Sequence, residues 1–225
     1  MDKMDFLKKV PIFNELATDE LLRIKRIGSV MKVPKQELVF DENTSGGKFY
    51  IVSSGRVKIF TSSGAKKKTL AYLEKGEFFG EMALLDAEPR SASSEAIDDC
   101  ELFVIKKNDF KKLLIRHPNI SFHILKTLSK RLRQADREIE GLTFGNVIGR
   151  LAATLLDLSA RYGERNAQGC RIKMSLSHKD IAELAGTGRE MVSRILNRLK
   201  RLNCVSYSSR HVIITNEQKL RQWVK

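Results

Sequence analysis

Between Ser29 and Lys106 the hydrophobic pattern leaves its helical period and falls to a period near two, in pieces too short for anything but small strands. The pieces are Val30-Met31-Lys32-Val33, Glu37-Leu38-Val39-Phe40, Tyr50-Ile51-Val52, Val57-Lys58-Ile59-Phe60, Thr69-Leu70-Ala71-Tyr72 and Leu102-Phe103-Val104-Ile105. Turn signals at Asn43 to Gly47, at Gly55, at Ser62-Ser63-Gly64 and at Gly76 separate them. Many short strands at this spacing predict an antiparallel sandwich or jelly roll. The Lys66-Lys67-Lys68 cluster within the run reads as a solvated hairpin edge.

Helical patterns flank this run, so the predicted class is α+β. Upstream, Phe6, Leu7, Val10, Ile12, Phe13, Leu16, Leu21, Leu22 and Ile24 recur at helical spacing, interrupted by Pro11. They predict short helices laid over the outside of a sheet, with Thr18 as an N-cap and Asp19 and Glu20 in the first turn. Downstream, Asp109 to Leu114 predicts a short helix ending near His117-Pro118. In the next helix Leu125, Leu128, Leu132, Ala135, Ile139 and Leu142 form a coiled-coil stripe, flanked by Lys130, Arg131, Arg133, Asp136, Arg137, Glu138 and Glu140. Such a stripe predicts a dimer seam; packing onto the chain's own sandwich is the other reading. Gly141, Gly145 and Gly149 supply a hinge. The predicted divisions are 1–116, 117–145 and 146–225.

Residues 78–92 carry the first chemistry. Met82 to Leu85 can make one helical turn whose open N–H groups face an anion. Arg90 can fork onto two phosphate oxygens and Ser91 can add a third donor. Glu81 suits a sugar hydroxyl better than a phosphate. The competing reading pairs Glu81 with Arg90 at a buried strand end.

The chain carries a net charge of +14, which argues for a polyanionic partner, nucleic acid ahead of membrane. Residues 151–225 hold fourteen Lys or Arg against six Asp or Glu. Within them Ser177 can cap a helix that buries Ile181, Leu184 and Ala185, and Gly186 to Gly188 turn the chain. Thr187 and Glu190 suggest a capping box for a second helix, which buries Val192, Ile195, Leu196 and Leu199. Arg189, Glu190, Ser193, Arg194 and Asn197 occupy its other face. This is a helix-turn-helix pattern. Cys204 to Tyr207 and Val212 to Ile214 then predict a wing hairpin with Arg210 and His211 at its tip, placed to touch phosphate.

No apolar run approaches the roughly 20 residues of a membrane span, and the charged, amphipathic start is not that of a signal peptide. Cys100, Cys170 and Cys204 lie far apart and read as reduced thiols in a cytosol, without a metal site. No grouping of carboxylate, histidine or cysteine suggests a catalytic constellation, so an enzyme is not expected.

The stretch G-E-x-A-L-L-x-x-x-P-R-S-A resembles the phosphate-binding cassette of cyclic-nucleotide-binding domains, and Gly46 to Lys58 resembles the strands that precede it. The order of cassette-bearing sandwich, long helix and winged helix with G-R-E-x-V-x-R resembles bacterial transcription regulators. The family is the cyclic-AMP receptor and fumarate–nitrate reductase regulator superfamily, and the likeness covers nearly all 225 residues. It implies a cytoplasmic homodimer that binds double-stranded DNA, with RNA polymerase as a further partner and cyclic AMP or cyclic GMP as effector. It implies ligand contacts from Gly80, Glu81, Met82, Ala83, Arg90, Ser91 and Ala92. It places Arg189, Glu190 and Arg194 on the base-reading positions, in the set that reads TGTGA-like half-sites, with Ser193 and Arg210 beside them.

Two departures matter. There is no cysteine before Cys100, so the iron–sulfur cluster of some members has no counterpart. Aligned from Leu142-Thr143-Phe144 and Gly149-Arg150, the Thr-Ser pair that contacts adenine in the cyclic-AMP receptor becomes Ala135 and Asp136. Asp136 suits a guanine edge or an adenine amino group, or is an ordinary flanking charge of the coiled coil. Other expectations stay open: a different effector or none, and a regulatory subunit of an enzyme.

Overall fold

The computed structural model describes residues 3–143 and 145–224; Phe144, used above to anchor the alignment, lies outside the described residues. The chain divides into two compact units between Arg131 and Leu132.

In the N-terminal unit, helices α1 (Lys3–Leu7) and α2 (Thr18–Ile27) precede strands β1 (Gly28–Val33), β2 (Leu38–Phe40), β3 (Lys48–Ser54), β4 (Val57–Ser63), β5 (Lys66–Leu73) and β6 (Phe78–Phe79). A single turn, α3 (Met82–Leu85), leads to β7 (Ser93–Ala96) and β8 (Cys100–Lys106), followed by helices α4 (Lys107–Arg116) and α5 (Pro118–Thr143), whose residues from Leu132 on belong to the C-terminal unit. The strands form two four-stranded antiparallel sheets, ordered β1-β8-β3-β6 and β2-β7-β4-β5. This is the expected jelly roll.

Strand β3 is buried on both faces, and its alternation separates two cores. Phe49 and Ile51 point to a layer shared with Leu7, Phe13, Ile24, Phe110, Ile120 and Ile124, where the helices cover the first sheet. Tyr50 and Val52 point between the sheets, against Val57, Leu73, Phe79 and Leu102. Phe49 and Phe110 stack with centroids 4.4 Å apart, which fixes α4 against β3.

Two strands escape a reading by hydrophobic period. Only two residues make β6. The sequence of β7 is Ser93-Ser94-Glu95-Ala96, whose serines are buried although polar, while Glu95 meets Lys58 across the sheet at 3.6 Å. Helix α2 also starts differently from expectation. Its N-cap is Ala17, and the Glu20 carboxylate accepts the Ala17 N–H at 2.8 Å, so a side chain three residues in caps the turn instead of the Thr18 hydroxyl.

On α5, Ile120 and Ile124 are buried and Leu128 packs against the same core. Leu125, Leu132, Ile139 and Leu142, the rest of the leucine and isoleucine stripe, are 56–64% exposed.

The C-terminal unit contains α6 (Val147–Tyr162), hairpin strands β9 (Gly163–Asn166) and β10 (Gly169–Ile172), α7 (His178–Ala185), α8 (Arg189–Arg201), wing strands β11 (Val205–Ser208) and β12 (His211–Ile214), and α9 (Glu217–Arg221). Its sheet runs β11-β12-β10-β9. The β9 strand, Gly-Glu-Arg-Asn, is exposed throughout and has no hydrophobic pattern to betray it. Ser177 caps α7 as expected, in a box with Asp180: the carboxylate accepts the Ser177 N–H at 2.7 Å and its hydroxyl at 2.6 Å. Gly186 closes α7 at φ 62°, where a side chain would be strained. The capping box expected of Thr187 is absent. The N-cap of α8 is Gly188, because the Thr187 N–H is committed backwards to the Ala182 carbonyl at 3.0 Å.

Phe110 is fully buried and holds α4 to the sheet. Phe110→Ala is expected to destabilise the N-terminal unit by about 3–5 kcal/mol, read as a lower urea midpoint.

Candidate functional site

The cassette is assembled around Arg90. Its Nη1 donates to the Gly80 carbonyl at 2.6 Å and its Nη2 to the Lys48 carbonyl at 2.8 Å. The guanidinium lies 4.2 Å over the Phe40 ring and 5.8 Å from that of Tyr50. Glycine is required at position 80: φ is 78°, and a Cβ there would sit 2.7 Å from Arg90 Nη1. The backbone of Arg90 is pinned as well, its N–H to the Thr44 carbonyl and its carbonyl to the Asn43 N–H, each at 2.8 Å. Gly46 of the same turn packs on Ala83, and a Cβ would come within 2.4 Å of the Ala83 Cβ.

Local chemistry explains how α3 delivers Arg90. The Leu84 and Leu85 N–H groups bond the Glu81 carbonyl at 2.9 and 3.0 Å, and the Asp86 N–H bonds Met82 at 3.0 Å. The Asp86 side chain then accepts the Glu88 N–H at 3.0 Å, with Ala87 at φ 64°, and Pro89 prevents the helix from continuing. The N–H groups of Met82 and Ala83 stay outside this bonding, at the open end of the turn.

Arg90 is only 4% exposed, and its Nε has no hydrogen-bond partner among the described residues. Burial lowers its pKa from the ordinary guanidinium range, with Tyr50 and Glu81 opposing; an arginine stays cationic even so. Burial pushes the Tyr50 phenol up, and Arg90 beside it works the other way. The site therefore holds a buried cation balanced by main-chain carbonyls and ring faces, without a bonded carboxylate. An anion with several oxygens would meet that deficit.

Glu81 does not pair with Arg90. It is 1% exposed, and its Oε1 lies 2.7 Å from Nη1 of Arg131 on α5. Arg131 Nη2 also donates to the Phe78 carbonyl at 2.6 Å, and its guanidinium lies 5.1 Å over the Phe78 ring. The sequence pattern alone groups Arg131 with the flanking charges of the coiled coil. Nothing in a basic run along a helix marks one member as the partner of a carboxylate fifty residues earlier. Ser91 is exposed, with its Oγ 3.6 Å from Met82 Sδ, and Ala83 and Ala92 are buried beside it. The structure thus brings Gly80, Glu81, Met82, Ala83, Arg90, Ser91 and Ala92 together. Asp136 belongs to the C-terminal unit, is exposed, and makes no ion pair among the described residues.

In that unit, α8 separates its two faces. At about 100° per residue, Arg189, Ser193, Asn197, Glu190 and Arg194 span an arc of about 140°, opposite the buried Val192, Ile195, Leu196 and Leu199. Arg189, Glu190 and Arg194 are exposed and Ser193 half-buried. The wing turns through Ser209 (φ 49°) and Arg210 (φ 65°). It is stitched to the segment entering α7: the Arg210 carbonyl accepts the Leu176 N–H at 2.7 Å, and the Tyr207 hydroxyl donates to the Leu176 carbonyl at 3.0 Å. Arg210 stands in the turn between the wing strands and has an acidic neighbour. Its Nη2 lies 3.6 Å from the Asp180 carboxylate, and the His211 ring bonds the Ser209 carbonyl at 2.9 Å.

Comparison with known proteins agrees with both halves. Residues 30–117 match the cyclic nucleotide-binding domain family and residues 149–223 the Crp-like helix-turn-helix domain family. The cyclic AMP receptor protein of Thermus thermophilus is 37% identical over 194 residues, 86% of this chain and 87% of that protein. The anaerobic regulatory protein of Bacillus subtilis is 31% identical over 219 residues, 96% of this chain and 92% of that one. Among solved structures, the c-di-GMP responsive global regulator CLP of Xanthomonas campestris superposes with a TM-score of 0.79 at 28% identity, covering 89% of this chain and 100% of its own.

The Glu81–Arg131 pair can be tested without a ligand. Arg131→Ala leaves a buried carboxylate unpaired and is expected to cost about 1–3 kcal/mol. Adding Glu81→Gln should recover part of that loss in urea unfolding. A double variant as unstable as the sum of the two single variants would show that the two groups do not interact.

Proposed function

Because the chain belongs to the superfamily of bacterial transcription regulators that contains the cyclic-AMP receptor protein and the fumarate–nitrate reductase regulator, we propose that it is an effector-gated homodimer that reads a palindromic, TGTGA-like DNA site. Regulators of this family bind DNA and work as dimers. The effector in this reading is a cyclic purine nucleotide. The observation that carries it is the buried Arg90 cation with its unpartnered Nε, beside Ser91 and Glu81. The phosphate would take Arg90 and the Ser91 hydroxyl, and the ribose hydroxyl would take Glu81.

Glu81 already accepts a bond from Arg131, so the sugar and the long helix address the same carboxylate. Gating then works by population shift: the effector must prefer the arrangement in which the recognition helices of the two copies are spaced for adjacent major grooves. The exposed Leu125, Leu132, Ile139 and Leu142 are the surface that a second copy would cover. Arginines 189 and 194 suit guanine O6 and N7, and Glu190 suits a cytosine amino group, with Ser193 at the same surface and Arg210 on phosphate. No helix among the described residues is long and apolar enough to cross a membrane; the proposed place of work is the cytoplasm, with RNA polymerase as a downstream partner.

A second reading keeps the DNA function and changes the effector. It is favoured by Ala135 and Asp136 standing where the family's adenine contact falls, and by the similar proteins themselves, one described as a cyclic AMP receptor and another as c-di-GMP responsive.

Calorimetric titration with cyclic AMP and cyclic GMP separates the readings. Arg90→Ala strands the phosphate charge and is expected to cost on the order of 2–5 kcal/mol of binding. Arg90→Lys should not restore it, because a point charge lacks the planar fork. If Asp136 reads guanine, Asp136→Thr lowers cyclic GMP affinity alone. Absence of binding by the wild-type chain at millimolar concentration of either nucleotide would select the second reading.

On the DNA side, Arg194→Ala is expected to cost about 1–3 kcal/mol at the cognate site, concentrated at one base pair. A loss spread evenly over all sequences would remove α8 from the major groove.

A further inference from the structure

The wing turn is made from the wrong residues for its conformation. A two-residue hairpin with φ positive at both central positions favours Asn-Gly, and here the pair is Ser209 (φ 49°) and Arg210 (φ 65°). An arginine held in the left-handed region is a strained choice that a glycine would relieve. Its backbone contribution, the carbonyl that accepts the Leu176 N–H, would be made equally well by glycine. What glycine would lack is the guanidinium. The ion-pair partner of that guanidinium among the described residues is Asp180, at 3.6 Å.

Asp180 is the third residue of α7, and its Oδ2 is already fixed by the Ser177 N–H and hydroxyl. The carboxylate is therefore a rigid acceptor at the start of the helix-turn-helix, in a unit dominated by basic residues. Arg210 remains 61% exposed while Asp180 is 28% exposed, so the arginine is the solvent-facing member of the pair. We propose that Asp180 competes with DNA phosphate for Arg210, so that the sequence-independent grip of the wing is held below what the arginine alone would provide. This rests on the reading of the wing as a phosphate contact. The wing arginine reaches DNA by exchanging one anion for another, and each contact yields less than a free cation would.

Asp180→Asn is the informative variant, because an asparagine oxygen still accepts from Ser177 and preserves the cap, while the charge is lost. Binding to random duplex DNA, measured by fluorescence anisotropy across a salt series, should tighten about two- to fivefold per wing, the range set by an exposed ion pair. Its salt dependence should steepen. In an Arg210→Ala background the same Asp180→Asn change should have a much smaller effect. Arg210→Gly should raise the thermal midpoint by relieving the turn, and weaken DNA binding. Unchanged or weaker random-DNA binding by Asp180→Asn, with circular dichroism showing α7 intact, would overturn the proposal. So would a tightening that persists undiminished without Arg210, since Asp180 would then act only through bulk charge. If Arg210→Ala itself leaves DNA affinity and salt slope unaltered, the wing reading fails and takes this inference with it. An effective Arg210→Ala beside an inert Asp180→Asn removes the competition alone.

Discussion

Strand β3 has no solvent face, and the N-terminal unit is arranged by that fact. Phe49 and Ile51 on one side and Tyr50 and Val52 on the other must both be covered, so helices close one layer and the second sheet closes the other. A strand that offers apolar residues to both sides can be satisfied only at the middle of a stack. The same strand supplies the cassette. Its first residue, Lys48, contributes the carbonyl that binds Arg90, and Tyr50 stacks with Phe79 at 5.0 Å beside the guanidinium. Packing and site are thus one construction, and the position of the buried cation follows from the pleat of β3.

Two arginines in this region do different work because their surroundings differ. Arg90 is buried against carbonyl oxygens and aromatic faces, groups that hold a guanidinium in place without cancelling its charge. Arg131 is partly exposed and meets a true carboxylate, Glu81, which is itself almost fully buried. The first arrangement leaves an electrostatic demand, and the second meets one. In the proposed reading a ligand with both a phosphate and a sugar hydroxyl would address the two together, and Arg131 lies on the long helix that also presents exposed leucines. Arg131 ties that helix to the cassette through Glu81 at 2.7 Å and the Phe78 carbonyl at 2.6 Å.

The C-terminal unit is organised by its turns. Gly186 ends α7 in the left-handed conformation, the Thr187 N–H completes that end, and Gly188 opens α8. Three residues thereby reverse the chain, and the recognition helix starts with Arg189 and Glu190 already in its first, exposed turn. The wing is tied to the other end of α7 through Leu176, so the start of α7 and the hairpin tip share one set of hydrogen bonds.

Much of this is written locally. The jelly roll, the long helix and the helix-turn-helix follow from hydrophobic period and from glycine and proline punctuation, which act between near neighbours and can be read along a line. The cassette residues from Gly80 to Ala92 were legible for the same reason, being contiguous. Elements without such a pattern were not: β7 buries serines, β6 has two residues, and β9 is polar throughout, so each exists only because another strand pairs with it. Caps were read to within one residue, since Ala17 and Gly188 took positions that Thr18 and Thr187 could have filled, according to which backbone groups were still open. The charge partners were decided wholly in three dimensions. Glu81 has Arg90 nine residues away and Arg131 fifty away, and it meets the more distant one because α5 lies against the β6 edge while Arg90 is drawn to the Gly80 and Lys48 carbonyls. Electrostatic attraction has no sequence period, so only the folded backbone could choose between them.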